Sequence, residues 1–429
     1  MFATITNALQ IGILVWYGYW LIISLFGFGK AKAMEMRDPK SRFLILVPAH
    51  NEEAVIADLL DNLNQLDYPK HLYDVCLIAD NCSDGTAAIG YAKGVTVLEH
   101  TYMPGEPKGK PYAMKYAFDM MDLSQYDAFC VFDADNLVTL NYLKEMNNHL
   151  LEGHKIVQCY LDTKNPKDNF ITLSYATSYY MMNRSWQLAK SRLKLGNAIG
   201  GTGFCVHMDL LDEIGWTARS LTEDLEFTMQ ALLKGVKTHW SHYSKVYDEK
   251  PTNFWFSCIQ RLRWARGHWD VCFKYSMPLL WKAIRDRDMC ALDGAMYLLN
   301  PGKVVVATLV AVSYYSVLST NVVLYTAEMG LGWDTLMHAA FQPLYKPFVP
   351  MWVYGVMIAF NLVYISIALR DSMQRINPIK AYLSLLFISY TYIPLFMWSL
   401  VTFTKRVWVR TEHTKSKSLE EVQAQEVGA

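Results

Sequence analysis

The chain has no surplus charge of either sign: 40 basic residues meet 40 acidic ones over 429 positions. A protein that neutralises nucleic-acid phosphates non-specifically needs a basic surface, so nucleic acid is not an expected partner. Close cysteine pairs are missing as well. All 8 cysteines fall between Cys76 and Cys290 without a C-x-x-C pair, which argues against a zinc site or a disulfide framework and for reduced thiols used as small apolar filler. No G-x-G-x-x-G follows the first apolar run and no G-x-x-x-x-G-K-[ST] occurs anywhere. Dinucleotide oxidoreductases and P-loop enzymes are therefore poor matches.

Charge is also absent from residues 1–29. The stretch Leu9 to Phe28 is apolar for about the 20 residues that a helix needs to cross hydrocarbon, and Lys30, Lys32, Arg37, Lys40 and Arg42 follow at once. Without a basic segment or a small-residue cleavage site before it, this stretch reads as a retained anchor, with the chain after it cytosolic. Three more span candidates stand near the other end: Val304 to Tyr325, Met351 to Leu369 and Tyr382 to Phe403. Basic residues on both flanks of the last one, in Arg370 to Lys380 and at Lys405, Arg406 and Arg410, want the same side. Either that segment is re-entrant, or a further span lies within Met289 to Tyr325, where Pro301 interrupts an apolar run. The expected organisation is an anchor and basic linker over 1–40, a cytosolic domain over 41–275, membrane helices over 276–404 and a cytosolic tail over 405–429. The expected location is the cell membrane, crossed several times.

In the middle region Phe43 to Val47 is a short apolar run stopped by Pro48, and Glu52 to Leu66 has helical spacing through Val55, Ile56, Leu59, Leu60 and Leu63. The order recurs. Tyr73 to Ala79 and Ala128 to Phe132 read as buried strands, each followed by turn formers and a helix, the second near Leu140 to Leu151. Alternating strands and helices predict an α/β domain with a mostly parallel sheet, whose ligands bind beyond the strand carboxyl ends.

Asp133 and Asp135 follow the third strand directly, and residues two apart in extended chain project to one side. Such a pair can face one Mg²⁺ or Mn²⁺ ion, which a diphosphate donor needs to offset the charge left on its β-phosphate. Asp80, at the end of the preceding strand, lies at the same sheet edge and suits the base or ribose of a nucleotide. Leu221-Thr222-Glu223-Asp224 opens a helix that runs to about Lys234 and closes at Gly235. Ser220 as cap with Glu223 three residues on would form a capping box, which leaves Asp224 as the carboxylate to take a proton from a sugar hydroxyl. Phe254 to Phe273 reads as an amphipathic helix at a membrane surface, with Gln260, Arg263 and Trp264 on one face. Arg263 can reach phosphate and Trp264 can stack on a sugar ring.

Together these residues resemble the inverting, processive family-2 glycosyltransferases of membranes: the cellulose, hyaluronan, chitin, poly-N-acetylglucosamine and β-glucan synthases. Pro48-Ala49-His50-Asn51-Glu52-Glu53 is similar to the family's opening P-A-x-N-E. Asp80 and Asp84 resemble its acidic residues after the second strand, Lys108-Gly109-Lys110 its basic loop, Asp133-Ala134-Asp135 its D-x-D, Thr222-Glu223-Asp224 its T-E-D and Gln260 to Trp264 its Q-x-x-R-W. The resemblance implies a GT-A type domain. It implies donor contacts from Pro48, Ala49, Asn51, Glu52, Asp80, Lys110, Asp133, Ala134, Gln260 and Arg263, and metal binding by Asp133 and Asp135. Thr222, Glu223 and Asp224 become the catalytic set, and Gly201, Thr202, Gly203, Phe204 and Trp264 the acceptor contacts. The acceptor segment departs from the cellulose synthases' F-F-C-G-S, and Trp408 to Thr414 stands where other members carry a gating loop or W-G-x-R. In that tail Arg410 can serve the donor diphosphate, or the basic cluster can serve as a lipid anchor.

The function this implies is processive transfer from a UDP-sugar, UDP-glucose before UDP-N-acetylglucosamine, to a growing β-linked polysaccharide exported through the bilayer. The alternative is a single transfer to a lipid acceptor. A second copy or accessory export proteins are compatible partners.

Overall fold

The structure is a computed structural model that describes residues 2–103, 105–312, 351–405 and 415–427. A helix α1 (Phe2–Leu25) precedes an eight-stranded sheet with the order β3-β2-β1-β4-β7-β6-β8-β5. The strands are β1 (Phe43–Ala49), β2 (Tyr73–Asp80), β3 (Thr96–His100), β4 (Ala128–Val131), β5 (Leu137–Val138), β6 (Ile156–Thr163), β7 (Phe204–His207) and β8 (Thr238–Asp248). β3, β2, β1 and β4 run parallel, as do β6 and β8, while β7 lies antiparallel between β4 and β6.

The apolar run in β1 has a direct cause. Phe43, Ile45 and Val47 enter the core on one sheet face with α2 (Ile56–Leu63) and α5 (Tyr142–Leu151). Leu44 and Leu46 enter the core on the other face with α4 (Lys110–Met120) and α9 (Glu223–Leu233). A strand covered on both faces has no polar side to alternate with, and each such large side chain contributes roughly 1.5–3 kcal/mol by leaving water. Between these helices come α3 (Thr86–Ala92), α6 (Phe170–Met182), α7 (Ala189–Arg192) and α8 (Met208–Ile214), with a π-helical turn over Asn183–Leu188 joining α6 to α7.

The helix expected from Glu52 starts later, at Ile56. Asn51 takes φ 58°, and the Glu52 amide donates to Thr86 Oγ1 at 2.8 Å and the Glu53 amide to Asp84 Oδ2 at 3.2 Å, so the chain there is tied to the β2–α3 turn. Because the strand order reverses between β1 and β4, a crevice opens beyond their carboxyl ends. The catalytic residues expected from the sequence are carried to that crevice.

Beyond the sheet, α10 (Phe254–Asp286) is followed by α11 (Met289–Leu298), α12 (Asn300–Val312), α13 (Met351–Asp371), α14 (Pro378–Thr402) and α15 (Leu419–Val427). Among the described residues, α14 is long and apolar enough to cross a membrane by itself, and α11 with α12, bent by 50°, is so as a pair. In α1 the apolar helix is the shorter piece Ile11–Leu25. The expected span Val304 to Tyr325 lies partly outside the described residues. Arg184 of the π turn, 4% exposed, donates to the carbonyls of Gly27 and Gly29 at 2.6 and 2.8 Å and grips both carboxylate oxygens of Asp371. The end of α1 and the end of α13 are thereby joined to the sheet domain.

Candidate active site

The carboxyl ends of β1, β2, β4 and β8 open onto a cavity of about 1000 Å³. Its walls include Pro48, Ala49, Glu52 and Asp80 from the first two strands, Lys110 from α4, and Asp133, Ala134 and Asp135 from the turn after β4. They also include Gly201 and Thr202, then Thr222, Glu223 and Asp224, and Gln260, Arg263 and Trp264. Residues far apart in sequence are thus brought to one space.

Asp80 is 7% exposed, and its oxygens meet His100 Nδ1 at 2.9 Å and Tyr102 Oη at 2.8 Å, while His50 Nδ1 meets its carbonyl at 2.7 Å. Burial raises its carboxyl above the ordinary range, and the two side-chain hydrogen bonds oppose the rise. His100 and Tyr102 belong to no motif; β3 and its following loop place them here.

After β4 the chain turns sharply. Asn136 Oδ1 accepts from the Asp133 amide at 3.1 Å and from Thr202 Oγ1, and Thr202 Oγ1 accepts in turn from the Asp133 amide at 3.1 Å. Asp133 Oδ1 is paired with Lys110 Nζ at 2.5 Å, and the same ammonium donates to the Gly201 carbonyl at 2.6 Å. Asp135 is 4% exposed; its oxygens accept from Asn136 Nδ2 at 3.2 Å and from the Glu249 amide at 2.8 Å.

Gln158 is fully buried in β6 and holds the glycine-rich loop 200–203: Nε2 donates to the Thr202 carbonyl and Oε1 accepts from the Gly200 amide, both at 2.9 Å. It was not among the expected residues. The signal for it was a lone amide inside the apolar run Val157-Gln158-Cys159-Tyr160, since a buried amide must find partners.

Thr222 precedes the first turn of α9 and makes no side-chain cap. The capping box expected from Ser220 and Glu223 does not form. Glu226 Oε2 instead accepts from the amides of Arg219 and Ser220 at 2.6 and 2.7 Å, and Ser220 Oγ donates to the Gly267 carbonyl at 3.3 Å. The reason is the close approach of α10: a Cβ on Gly267 would lie 2.6 Å from the Thr222 side chain and 2.8 Å from its amide nitrogen. Glu223 and Asp224 are left facing the cavity. Burial pushes the Glu223 carboxyl up to about 7, against the lowering pull of Lys110, and it raises Asp224 as well, against its own helix amides, Lys110 and Arg263.

Gln260, Arg263 and Trp264 share one face of α10, as their spacing implies. Arg263 donates to the Leu221 carbonyl at 3.3 Å, and Gln260 Oε1 is buried with no partner among the described residues. The same walls carry Tyr179, Trp186, Tyr297 of α11 and Tyr392 of α14.

Three expected residues among those described do not line the cavity. Asn51 shapes a turn, its Oδ1 accepting from the Ser83 amide at 2.7 Å. Gly203, at φ +64°, lies where a Cβ would come within 2.5 Å of Cys159 Sγ, and Phe204, 2% exposed, belongs to the core under α9. Phe204 opens β7 and Gly203 precedes it, so both are scaffold positions rather than cavity lining. Arg410 lies outside the described residues. Sequence reading also passed over Asp248 and Lys250 on the cavity wall, paired at 2.5 Å.

For a divalent ion, no three His, Cys, Asp or Glu side chains converge among the described residues. Asp133 and Asp135 stand beside Asp248, whose Oδ1 is buried without a partner among the described residues and whose carboxyl is pushed up to about 6, by burial first. Two carboxylates with the remaining positions left to water and diphosphate oxygens is the pattern that Mg²⁺ and Mn²⁺ accept. The residues fit such an ion.

Residues 39–267, more than half of the chain, match the family described as "Glycosyltransferase like family 2". The chain is 26% identical over 280 residues to a probable glycosyltransferase, YdaM, of Bacillus subtilis, covering 60% of this chain and 64% of that protein. It is 32% identical over 248 residues to a beta-monoglucosyldiacylglycerol synthase of Trichormus variabilis, covering 54% of this chain and 52% of the relative. These matches span about half to two thirds of the relatives' lengths. In fold the chain is similar to a mannosyltransferase, PcManGT, from Pyrobaculum calidifontis, solved with GDP-Man and Mn²⁺, at a TM-score of 0.53 and 17% identity over 90% of this chain and 99% of that one. The chain belongs to glycosyltransferase family 2, the sugar-transferring enzymes, and has an α/β fold of the GT-A type.

Proposed function

We propose that the protein transfers a hexose from a UDP-sugar to a lipid acceptor at a membrane surface, with inversion at the anomeric carbon. The observation that carries this reading is the extent of the cavity. It joins the carboxylates at the strand ends to Tyr297 and Tyr392 on the apolar helices α11 and α14, so a donor from water and an acceptor from lipid can share it. The relative of Trichormus variabilis, by its name a synthase of a glucosylated diacylglycerol, supports a lipid acceptor.

In this reading Pro48, Ala49, Glu52 and Asp80 receive the nucleotide, and Lys110 and Arg263 meet the diphosphate. Asp133 and Asp135 hold Mg²⁺ or Mn²⁺, which when bound stabilises the negative charge on the departing diphosphate. Asp224 accepts the proton of the acceptor hydroxyl as that oxygen attacks the anomeric carbon from the face opposite the leaving group, which inverts it. Glu223 shares the field of Lys110 with Asp224. UDP-glucose is the first donor to try and UDP-N-acetylglucosamine the second, with the catalytic domain facing the cytosol.

One observation favours processive polysaccharide synthesis as the second reading: Gln260, Arg263 and Trp264 stand together on the cavity wall, as in the Q-x-x-R-W of the polymer synthases.

Nucleotide release from a panel of donors tests the donor half of the proposal. UDP release should require Mg²⁺ or Mn²⁺, and Asp135→Asn should abolish it while leaving the fold intact. Full turnover in excess chelator would refute the assignment of Asp133 and Asp135.

A further inference from the structure

Helix α14 is apolar along its length, yet its two faces differ in an unusual sense. The face toward the protein carries mostly small and polar residues: Ala381, Ser384, Ser399 and Thr402 are buried, with Ile388 the one large apolar residue among them. Ile379, Leu383, Tyr390, Trp398 and Val401 form the opposite stripe, 54–72% exposed. Their spacings of four, seven, eight and three keep them on one side of a helix from its first turn to its last.

The polar face is bonded to the catalytic domain at both ends. Near its start Ser384 meets Thr177 of α6 at 3.3 Å and Phe387 packs on Phe170 at 5.4 Å. In the middle Thr391 accepts from Arg261 at 2.5 Å. At its end Thr402 accepts from Arg266 at 3.1 Å, and Phe403 packs on Phe273 at 5.0 Å. Arg261, Arg266 and Phe273 lie on the stretch of α10 that is itself fastened to the T-E-D turn, through Arg263 to Leu221 and Ser220 to Gly267. That stretch bears Arg261, Arg263, Arg266 and Asp270, and it belongs to the polar domain rather than to hydrocarbon.

The chain on either side agrees. Asp371, before α14, is gripped by Arg184, and after it the Lys415 amide donates to Glu249 at 3.0 Å and the Lys417 amide to Asp58 at 3.1 Å. A helix that crosses the bilayer departs from the domain by about 30 Å of hydrocarbon; α14 would then leave one of its ends without these partners.

We infer that α14 does not cross the membrane but lies along its surface, with the Ile379-to-Val401 stripe in the lipid and Tyr392 turned to the cavity. This rests on the membrane reading of the preceding section. The partner of the stripe is the interfacial zone of the bilayer, entered to a depth of ~5–10 Å as is usual for in-plane helices, with Lys380 and Lys405 at the ends placed to meet anionic headgroups. α14 is then a wall between the cavity and the leaflet that supplies the acceptor.

The test uses the full-length protein in sealed inverted vesicles. Lys380→Cys and Lys405→Cys are each treated with a membrane-impermeant thiol reagent against the unsubstituted protein as background, with Lys415→Cys marking the domain's side. A bimane label on Tyr390→Cys is then quenched by lipids brominated at shallow or deep acyl positions. The expected result is labelling of all three cysteines from the same side, with stronger quenching by the shallow bromines. Labelling of Lys380→Cys and Lys405→Cys from opposite sides would overturn the in-plane assignment and leave membrane action standing. Absence of quenching at every depth would overturn both.

Discussion

At the scale of single residues the proposed chemistry rests on the Asp224 carboxylate, which must be ionised to act as a base. Glu223 is pushed up to about 7 by burial and Asp224 is raised in the same way. A general base acts only in its deprotonated form, so the raised values move the acid limb of activity upward. The acid limb of the kcat/KM profile of the purified enzyme should lie at a higher pH than an ordinary aspartate would give, and a limb in the ordinary aspartate range would contradict the assignment. Asp224→Asn should lose about 10²–10⁴ in kcat while still binding donor; unchanged kcat would remove Asp224 from the role. These carboxylates were legible in the sequence because each stands at a strand end or a helix start, where local pattern fixes direction. Gln158, His100, Tyr102 and Asp248 were not legible. The partners of Gln158, His100 and Tyr102 come from other strands and loops, and Asp248 reaches the cavity because β8 lies beside β6; which strand lies beside which is a property of the sheet order. Phe204 shows the opposite error: adjacent to the glycine loop in sequence, it is one residue inside β7 and therefore in the core.

Among the elements, α5 and β8 meet through a histidine cluster behind the sheet, away from the cavity. His149 Nδ1 lies 2.9 Å from His154 Nδ1, and the ring of His154 stacks on His239 at 3.5 Å. Burial lowers His149 and His239 from 6.5 to about 3 and lowers His154 too, with Lys237 adding to the effect on His154 and His239 and Glu152 opposing it at His154. In the unfolded chain these rings titrate near their ordinary value. As pH falls below about 6.5 the unfolded state takes up protons that the folded state refuses, so stability declines with falling pH and is fully present above that value. Thermal unfolding between about pH 7 and pH 5 should show a falling midpoint, and His239→Phe should flatten the slope; an unchanged slope would exclude the cluster as its source. Strands β1, β2 and β4 and helices α2, α5 and α9 could be read from the sequence because their apolar spacing is set by what covers them. The π turn over Asn183–Leu188 could not, because the extra residue in that turn answers to packing of Arg184 against α1 and α13 and leaves no periodic trace. Nor could the full α10, which continues past Phe273 and through Pro278 to Asp286.

For the whole molecule, the arrangement places a sheet-edge site for a water-soluble donor against helices whose outer faces are apolar. Trp255, Met277, Trp281 and Ile284 of α10 are 65–75% exposed, and exposed apolar area of this extent marks a surface that meets lipid or protein. The sequence alone left two ways to put both flanks of α14 on one side, a re-entrant segment or a further span within Met289 to Tyr325; contacts at both ends of α14 favour a third, a helix lying in the membrane plane. It also pointed first to a polymer, through the Q-x-x-R-W resemblance, whereas a cavity wall shared with α11 and α14 favours a single transfer to lipid. Product length decides between them. Purified enzyme with radiolabelled UDP-glucose, Mn²⁺ and diacylglycerol-containing vesicles should yield a chloroform-soluble glycolipid carrying one labelled sugar, with UDP released in equal amount. Label recovered instead in a water-soluble or insoluble polymer, with none in the lipid phase, would contradict the account.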